Sequence, residues 1–240
     1  MANTEIISIA IPAFNSSAYI ELAFKEIYDD PRVTEIVVVD DHSDDFPTLE
    51  RKLAQYEKVK LVRNEENLGG FWNKQKAVSL CVNKWVGVLD SDNRLTPDYL
   101  EAWYDVTVPD QTVIYCPVKG RDSLNYKEIE AEYMGLEEIK DYLEMYPVMT
   151  TKFLNTGNYI VNREKYLSVF RGKVNKSVPC AIAFNYLWLL AGYQFFICPN
   201  MNYVHTVGFG RFWKDNVKYM QPIVNDIVLA ISTGKPYDLP

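Results

Sequence analysis

No stretch of this 240-residue chain approaches about 18 consecutive apolar residues, so no segment reads as a membrane-spanning helix. Cationic clusters are missing too. The net charge is −7, which argues against a nucleic-acid partner, because such proteins present a basic face. A polyanionic ligand would need a local cation rather than the field of the whole protein. The four cysteines, at 81, 116, 180 and 198, form no C-x-x-C pair and stand in apolar stretches. Free thiols in a reducing compartment are expected rather than disulfides or a zinc site. The opening "MANTEIISIAIPAF" lacks a basic segment, and its apolar run is too short and too soon interrupted for a secretory signal. The expected location is cytoplasmic, with peripheral attachment to a membrane left open. Repeats and low-complexity linkers are also lacking. What remains is an ordinary globular balance, 48% apolar and 24% charged, long enough for a large core without staples.

The first hundred residues alternate two periodicities. Short continuous apolar runs at 6–12, 35–41, 59–64 and 85–90 read as buried strands. Between them, 16–30, 47–58 and 70–83 carry helical spacing, the first closed by Pro31. Strands without polar alternation, joined by helices, imply a parallel sheet covered on both faces. The second half is less regular. A helix at 97–106 has Pro97 in its first turn, and 112–118 reads as a strand. Residues 119–150 are acidic with a helix around 135–145; a strand at 157–162 and a helix at 163–170 follow. The nearly all-apolar 181–192 reads as a buried helix ending at Gly192. "YQFFICPN" and "MNYVHTV" read as two short strands, and 217–232 as an amphipathic stretch interrupted by Pro222.

Ligands of such sheets bind outside the carboxyl ends of the strands. Those ends carry Pro12-Ala13-Phe14-Asn15, Asp40-Asp41-His42-Ser43, Arg63-Asn64 and Asp90-Ser91-Asp92-Asn93. Two carboxylates as close as Asp90 and Asp92 repel unless a cation lies between them, and a hard divalent ion completed by substrate phosphate meets that need. An isolated D-x-D is more often a solvated turn or helix cap. An Asp40-Asp41 pair can accept hydrogen bonds from a ribose or base, or make an Asx turn. Lys74, early on the helix that follows the turn "ENLGG", can meet a diphosphate as a point charge or stand as a surface lysine.

Together "SIAIPAFNSSAYIELAFKEI", "EIVVVDDHSDD", "NLGGFWNKQKAV" and "VGVLDSDN" resemble glycosyltransferase family 2 in order and spacing over about residues 5–100. The second half resembles it more loosely, through "NTGNYIVNREKYLSV", an apolar helix ending "AGYQ", and "NYVHTVG". The resemblance implies an α/β fold of GT-A type: a mostly parallel, Rossmann-like sheet flanked by helices, merged into one domain. Residues 1–100 would bind the nucleotide sugar, 101–216 would form the acceptor side, and 217–240 a C-terminal helix and tail. It implies that Pro12, Ala13, Phe14 and Asn15 border the nucleotide and that Asp41 contacts base or ribose. Lys74 stands where the family usually has an arginine near the nucleotide. Asp90 would support sugar or ribose, with Ser91 beside it, and Asp92 would bind Mn2+ or Mg2+ with His205 completing the metal site. The glycine-rich "HTVGFGRFWKD" is compatible with a lid whose Arg211 and Lys214 meet the diphosphate, or with an ordinary loop.

One departure stands out. Inverting members usually carry an acidic base just before the apolar helix, a position that falls here near Cys180-Ala181. No Asp or Glu occurs between Glu164 and Asp215. Transfer to a hydroxyl with inversion needs a base within reach, and Asp122, Glu128, Glu130 and Glu132 are the acids left to consider. The expected activity is metal-dependent, non-processive transfer of a sugar from a nucleotide-diphosphate donor to a glycan, lipid-linked or other hydroxyl acceptor. The competing readings are a sugar-nucleotide-binding protein or subunit that has lost transfer, and a nucleotidyltransferase, for which the glycine-rich basic loop after the first strand is missing. The sequence leaves the oligomeric state open.

Overall fold

The computed structural model describes residues 3–121, 124–145, 154–170, 174–176, 178–205 and 212–240, without the side chains of 121, 124 and 212–215. Strands β1 (Ile7–Ala13), β2 (Val33–Asp40), β3 (Val59–Arg63) and β4 (Trp85–Val88) pair in the order β3-β2-β1-β4, all parallel. Helices α1 (Ile20–Phe24), α2 (Phe46–Leu53) and α3 (Gly70–Ser79) connect them. Next come β5 (Asn93–Leu95), α4 (Pro97–Tyr104), β6 (Val113–Arg121), β7 (Leu124–Asn125), β8 (Tyr133–Met134) and α5 (Leu136–Met145). The chain ends with β9 (Ile160–Asn162), α6 (Arg163–Ser168), α7 (Cys180–Leu190), β10 (Gln194–His205) and α8 (Phe212–Thr233). Beyond β4 the sheet continues β9-β6-β10-β5, with β9 antiparallel to both neighbours, β6 and β10 parallel, and β5 antiparallel to β10.

The alternation of side chains along each strand divides the core into two layers. In β2, Ile36 and Val38 join Phe24, Leu49, Tyr99 and Trp103 on one face. Val37 and Val39 join Phe71, Ala77, Ile182 and Trp188 on the other. Each of these aliphatic residues, fully buried, contributes about 1.5–3 kcal/mol. The run therefore stays apolar at every position, and the continuous pattern identified it as buried on both faces. Helix α7 ends as a Schellman motif: Gly192 (φ 78) and Tyr193 donate to the Leu189 and Trp188 carbonyls.

Several sequence expectations change. The helix at 16–30 reduces to Ile20–Phe24. Before it, the Asp45 carboxylate accepts from the Ser17 amide and Lys52 donates to the Ser17 carbonyl, holding a turn. After it, Ile27 and Asp30 bond three residues back rather than four, so the chain leaves the α-helix. The helix at 70–83 stops at Ser79, where Arg163 donates to the Val78 and Ser79 carbonyls. The two expected strands after Gly192 are one, β10. An irregularity between Cys198 and Asn202 absorbs Pro199, with Asn200 at φ 62. The last helix starts at Phe212, five residues before its expected start. Among the described residues no helix is long and apolar enough to cross a membrane.

Candidate active site

The chain winds outward from β1 to β3 and then returns to place β4 on the other side of β1. The two connections diverge there, so a crevice opens between the carboxyl ends of β1 and β4. Its walls are the turn Pro12–Asn15 and the turn Asp90–Asn93.

The first wall is fixed from β2. Asn15, at φ 50, receives the Asp44 amide on its side-chain oxygen and donates its own amide to the Ser43 hydroxyl at 2.8 Å. Ser43 is placed in turn by the buried Asp40 carboxylate, which accepts its amide at 3.0 Å. Arg63 pairs with Asp40 at 3.5 Å, donates to the Ser43 carbonyl and lies over the Phe46 ring. With the turn so braced, Phe14 remains 51% exposed on the rim, a large ring held out towards solvent.

Asp41, one residue on, is almost wholly buried. It accepts the Leu68 amide and the Asn64 side-chain amide on one oxygen, and the Gly69 amide on the other, at 2.8–2.9 Å. These bonds occupy most of the acceptor capacity of a carboxylate. Asp41 therefore shapes the Asn67–Gly69 turn that launches α3. Asn73 anchors α3 to the sheet, donating to the Val39 carbonyl and accepting from Asn64.

Lys74 follows Asn73 and points inward. Its ammonium sits 2.6 Å from an Asp90 oxygen, in a side chain only 10% exposed. Burial alone would pull its pKa down; the Asp90 carboxylate, with a smaller push from Cys180, outweighs this and holds it above the ordinary lysine value. Asp90 is fixed elsewhere as well. Its amide donates to the Asn158 side chain, its carbonyl accepts from Asn93, and a Cβ on Gly157 would lie 3.4 Å from its second oxygen. Asn158, at φ 56, is held by the Tyr99 hydroxyl; buried Asn185 bonds the Leu154 and Thr156 carbonyls just upstream. Gly157, Asn158 and Asn185 escaped the sequence reading. The only signal was the Asn/Gly-rich "NTGN" ahead of a strand, which marks a special backbone but names no chemistry.

Asp92 lies within electrostatic reach of Tyr19, whose phenol is pushed above its ordinary pKa by burial, then by the Asp92 and Asp45 charges. His205 reaches the same turn through strand pairing. The β5–β10 register sets it opposite Asn93, the residue after Asp92. No sequence pattern announced the three-residue β5 that makes this pairing. Asp92, partly buried, and the His205 imidazole offer one hard and one borderline ligand. Among the described residues no group of three His, Cys, Asp or Glu could enclose a cation. That donor set fits a divalent ion that takes its remaining ligands from a diphosphate and water, as Mg2+ and Mn2+ do.

Cys180 opens α7 where the acid was missed, its sulfur 3.5 Å from where a Gly70 Cβ would lie. Of the four thiols it alone is more than marginally exposed. Burial pushes the Cys81 thiol up to about 12 and the Cys116 and Cys198 thiols well above the usual range. Native protein is therefore expected to take one equivalent of maleimide, at Cys180, and four after unfolding, as read by intact mass. More than one equivalent in the native state contradicts the packing. The other acids lie elsewhere: Glu130 pairs with Lys127, and Glu128 and Glu132 are solvent-exposed. Asp122, Arg211 and the Lys214 side chain lie outside the described residues.

A 3-2-1-4 parallel half-sheet with an acidic turn at its switch point defines an open α/β protein with a ligand crevice at the strand ends. Residues 8–170 match the model for glycosyl transferase family 2, and the chain belongs to that family. Over 106 residues, 42% of this chain, it is 34% identical to a chondroitin synthase of Escherichia coli. Over 101 residues, 40% of this chain, it is 33% identical to a putative teichuronic acid biosynthesis glycosyltransferase, TuaG, of Bacillus subtilis (strain 168). These stretches span 15% and 39% of the two relatives. Among solved structures, the mannosyltransferase PcManGT of Pyrobaculum calidifontis, in complex with GDP-Man and Mn2+, superposes with a TM-score of 0.62. It is 19% identical, and the match covers 98% of this chain and 65% of that one. The likeness establishes the GT-A fold.

Proposed function

We propose that the protein transfers a sugar from a nucleotide-diphosphate donor to an acceptor hydroxyl, with Mn2+ or Mg2+ bound alongside the donor. The observation that carries this reading is the convergence of three separate elements on one crevice. The β1 turn, the Asp90–Asp92 turn and, through β5, His205 come together at the switch point of a family 2 fold. Phe14 offers a ring face to a base, and Asn15 and Ser43 keep that wall in place. Asp41, 3% exposed, keeps one acceptor position in a carboxylate otherwise filled by three N–H groups, and a ribose or base N–H or O–H group is assigned to it. Asp90 faces the sugar or ribose. Asp92 and His205 would hold the cation, which when bound offsets charge on the departing diphosphate. Arg211 and Lys214 are the cations assigned to the diphosphate from the glycine-rich segment. The solved neighbour's GDP-Man and Mn2+ support a sugar nucleotide and a divalent ion, and the chondroitin synthase and teichuronic acid relatives support a carbohydrate acceptor.

The test is a thermal-shift panel of UDP- and GDP-sugars with and without Mn2+, followed by donor turnover. A ligand present at one hundred times its Kd stabilises the native state by about 2.7 kcal/mol, a shift of several degrees. Asp92→Ala is expected to abolish the metal-dependent part of that shift while leaving the melting temperature of the free protein within about 2 °C, because a partly exposed carboxylate contributes little to stability. An unchanged metal response in the variant removes Asp92 from the metal site. Donor binding without transfer or hydrolysis under any acceptor would mark a binding protein instead.

A further inference from the structure

We infer that Lys74 acts on the donor through Asp90, as a positioning residue, and makes no contact of its own with the diphosphate. The inference rests on the proposed donor site and assigns one of its parts. Lys74 stands where an arginine in the family resemblance would reach the nucleotide, yet its ammonium is committed 2.6 Å from Asp90 and its side chain is 10% exposed. Helix α3 is held against rotation from both ends. The Asn73 side chain bonds to β2 and to Asn64, and Arg163 holds the last carbonyls. Turning Lys74 outward would give up its 2.6 Å pairing with the Asp90 carboxylate, whose side chain is 35% exposed. The remaining Asp90 contacts, from Asn158 and Asn93, fix its backbone, and Gly157 leaves its second oxygen uncrowded, but they provide no cation. Lys74 is therefore the counter-ion that orients the first carboxylate of the Asp90–Asp92 pair.

Two roles for a lysine can be told apart by additivity. Groups that act through one another lose their effects jointly, whereas independent ligand contacts lose them in sum. The experiment measures affinity, by calorimetry, for the tightest-binding member of a panel of UDP- and GDP-hexoses with Mn2+. The proteins are wild type, K74M, D90N, K74M/D90N and K74R. Loss of either partner is expected to weaken binding by about tenfold, with the double variant within about twofold of D90N alone. K74R, which keeps a cation in place, is expected to recover most of the affinity. If K74M is too unstable to measure, D90N against the double variant makes the same comparison, since both lack the unpaired carboxylate. A double variant about a hundredfold weaker than wild type, the sum of the two losses, shows direct contact with the ligand and overturns the inference. Undiminished binding in K74M overturns it equally. A wild-type protein that binds no panel member overturns the donor site itself, and with it this assignment.

Discussion

Alanine at position 41 is expected to lower stability by about 2–6 kcal/mol, enough to consume much of the margin of a typical domain. The estimate counts donors. Asp41 is buried at the end of β2 and accepts three N–H groups, from Leu68, Gly69 and Asn64. Truncation leaves the Leu68 amide and the Asn64 donor facing a cavity, while the Gly69 amide keeps the Asn67 side-chain oxygen at 3.1 Å, and each unsatisfied donor costs about 1–3 kcal/mol. Asparagine tests the same arithmetic more gently. Its oxygen can still receive the Leu68 and Asn64 donors, but its NH2 then confronts the Gly69 amide, so a loss of about 2 kcal/mol is expected. Urea denaturation reads both values. A carboxylate that served only a ligand would behave otherwise: its removal would weaken donor binding and leave the urea midpoint near wild type. The two measurements together separate the structural share of Asp41 from its share in the donor site.

The same residue shows which parts of the site were legible in advance. Asp41 was singled out because it ends a continuous apolar strand, and that strand was readable because Ile36 to Val39 of β2 are each buried on one face or the other. Its actual partners lie 23 to 28 residues along the chain, in a turn whose path only the tertiary fold defines. Lys74 and Asp90 give a parallel case. Each was recognised separately as a rim residue, but nothing in a spacing of sixteen residues reveals that α3 aims one at the other. His205 was assigned to the metal through resemblance alone. The physical link is β5, too short and too polar for a strand signal, which exists because β10 pairs with it. Local periodicity overcalled α1 for the opposite reason: the apolar residues at Tyr19, Leu22 and Ile27 keep helical spacing, while side-chain bonds at Ser17 and three-residue turns after Phe24 take the backbone elsewhere. The position of the usual acid, near Cys180-Ala181, came from the resemblance, and in the structure Cys180 opens α7.

Alanine at Gly69 is expected to destabilise the protein by about 2–6 kcal/mol and to abolish donor binding at concentrations that saturate wild type. Two effects add. Gly69 has φ 80 and ψ 158, a region essentially restricted to glycine, where a side chain costs about 1–3 kcal/mol. Its Cβ would also lie 2.6 Å from the Lys176 carbonyl oxygen and 2.7 Å from the Lys176 Cβ. One of these neighbours is backbone, so the clash is relieved only by moving the chain, at about 1–3 kcal/mol more. Gly192 supplies the control. It shares a positive φ, 78, but nothing lies within 4 Å of its would-be Cβ, so Gly192→Ala should show backbone strain alone, about 1 kcal/mol. The excess of Gly69→Ala over Gly192→Ala in urea denaturation then measures the contact with Lys176. That contact carries a functional consequence. Trp72 donates to the Val174 carbonyl, so the segment at 174–176 rests on the start of α3 at two points. Relief of the clash must shift this segment, or the Asn67–Gly69 turn with its two amide bonds to Asp41, and hence the helix that aims Lys74 at Asp90. If Gly69→Ala binds donor as tightly as wild type, the turn does not position the donor site, and the chain of contacts from Asp41 through α3 to Asp90 is not what holds it.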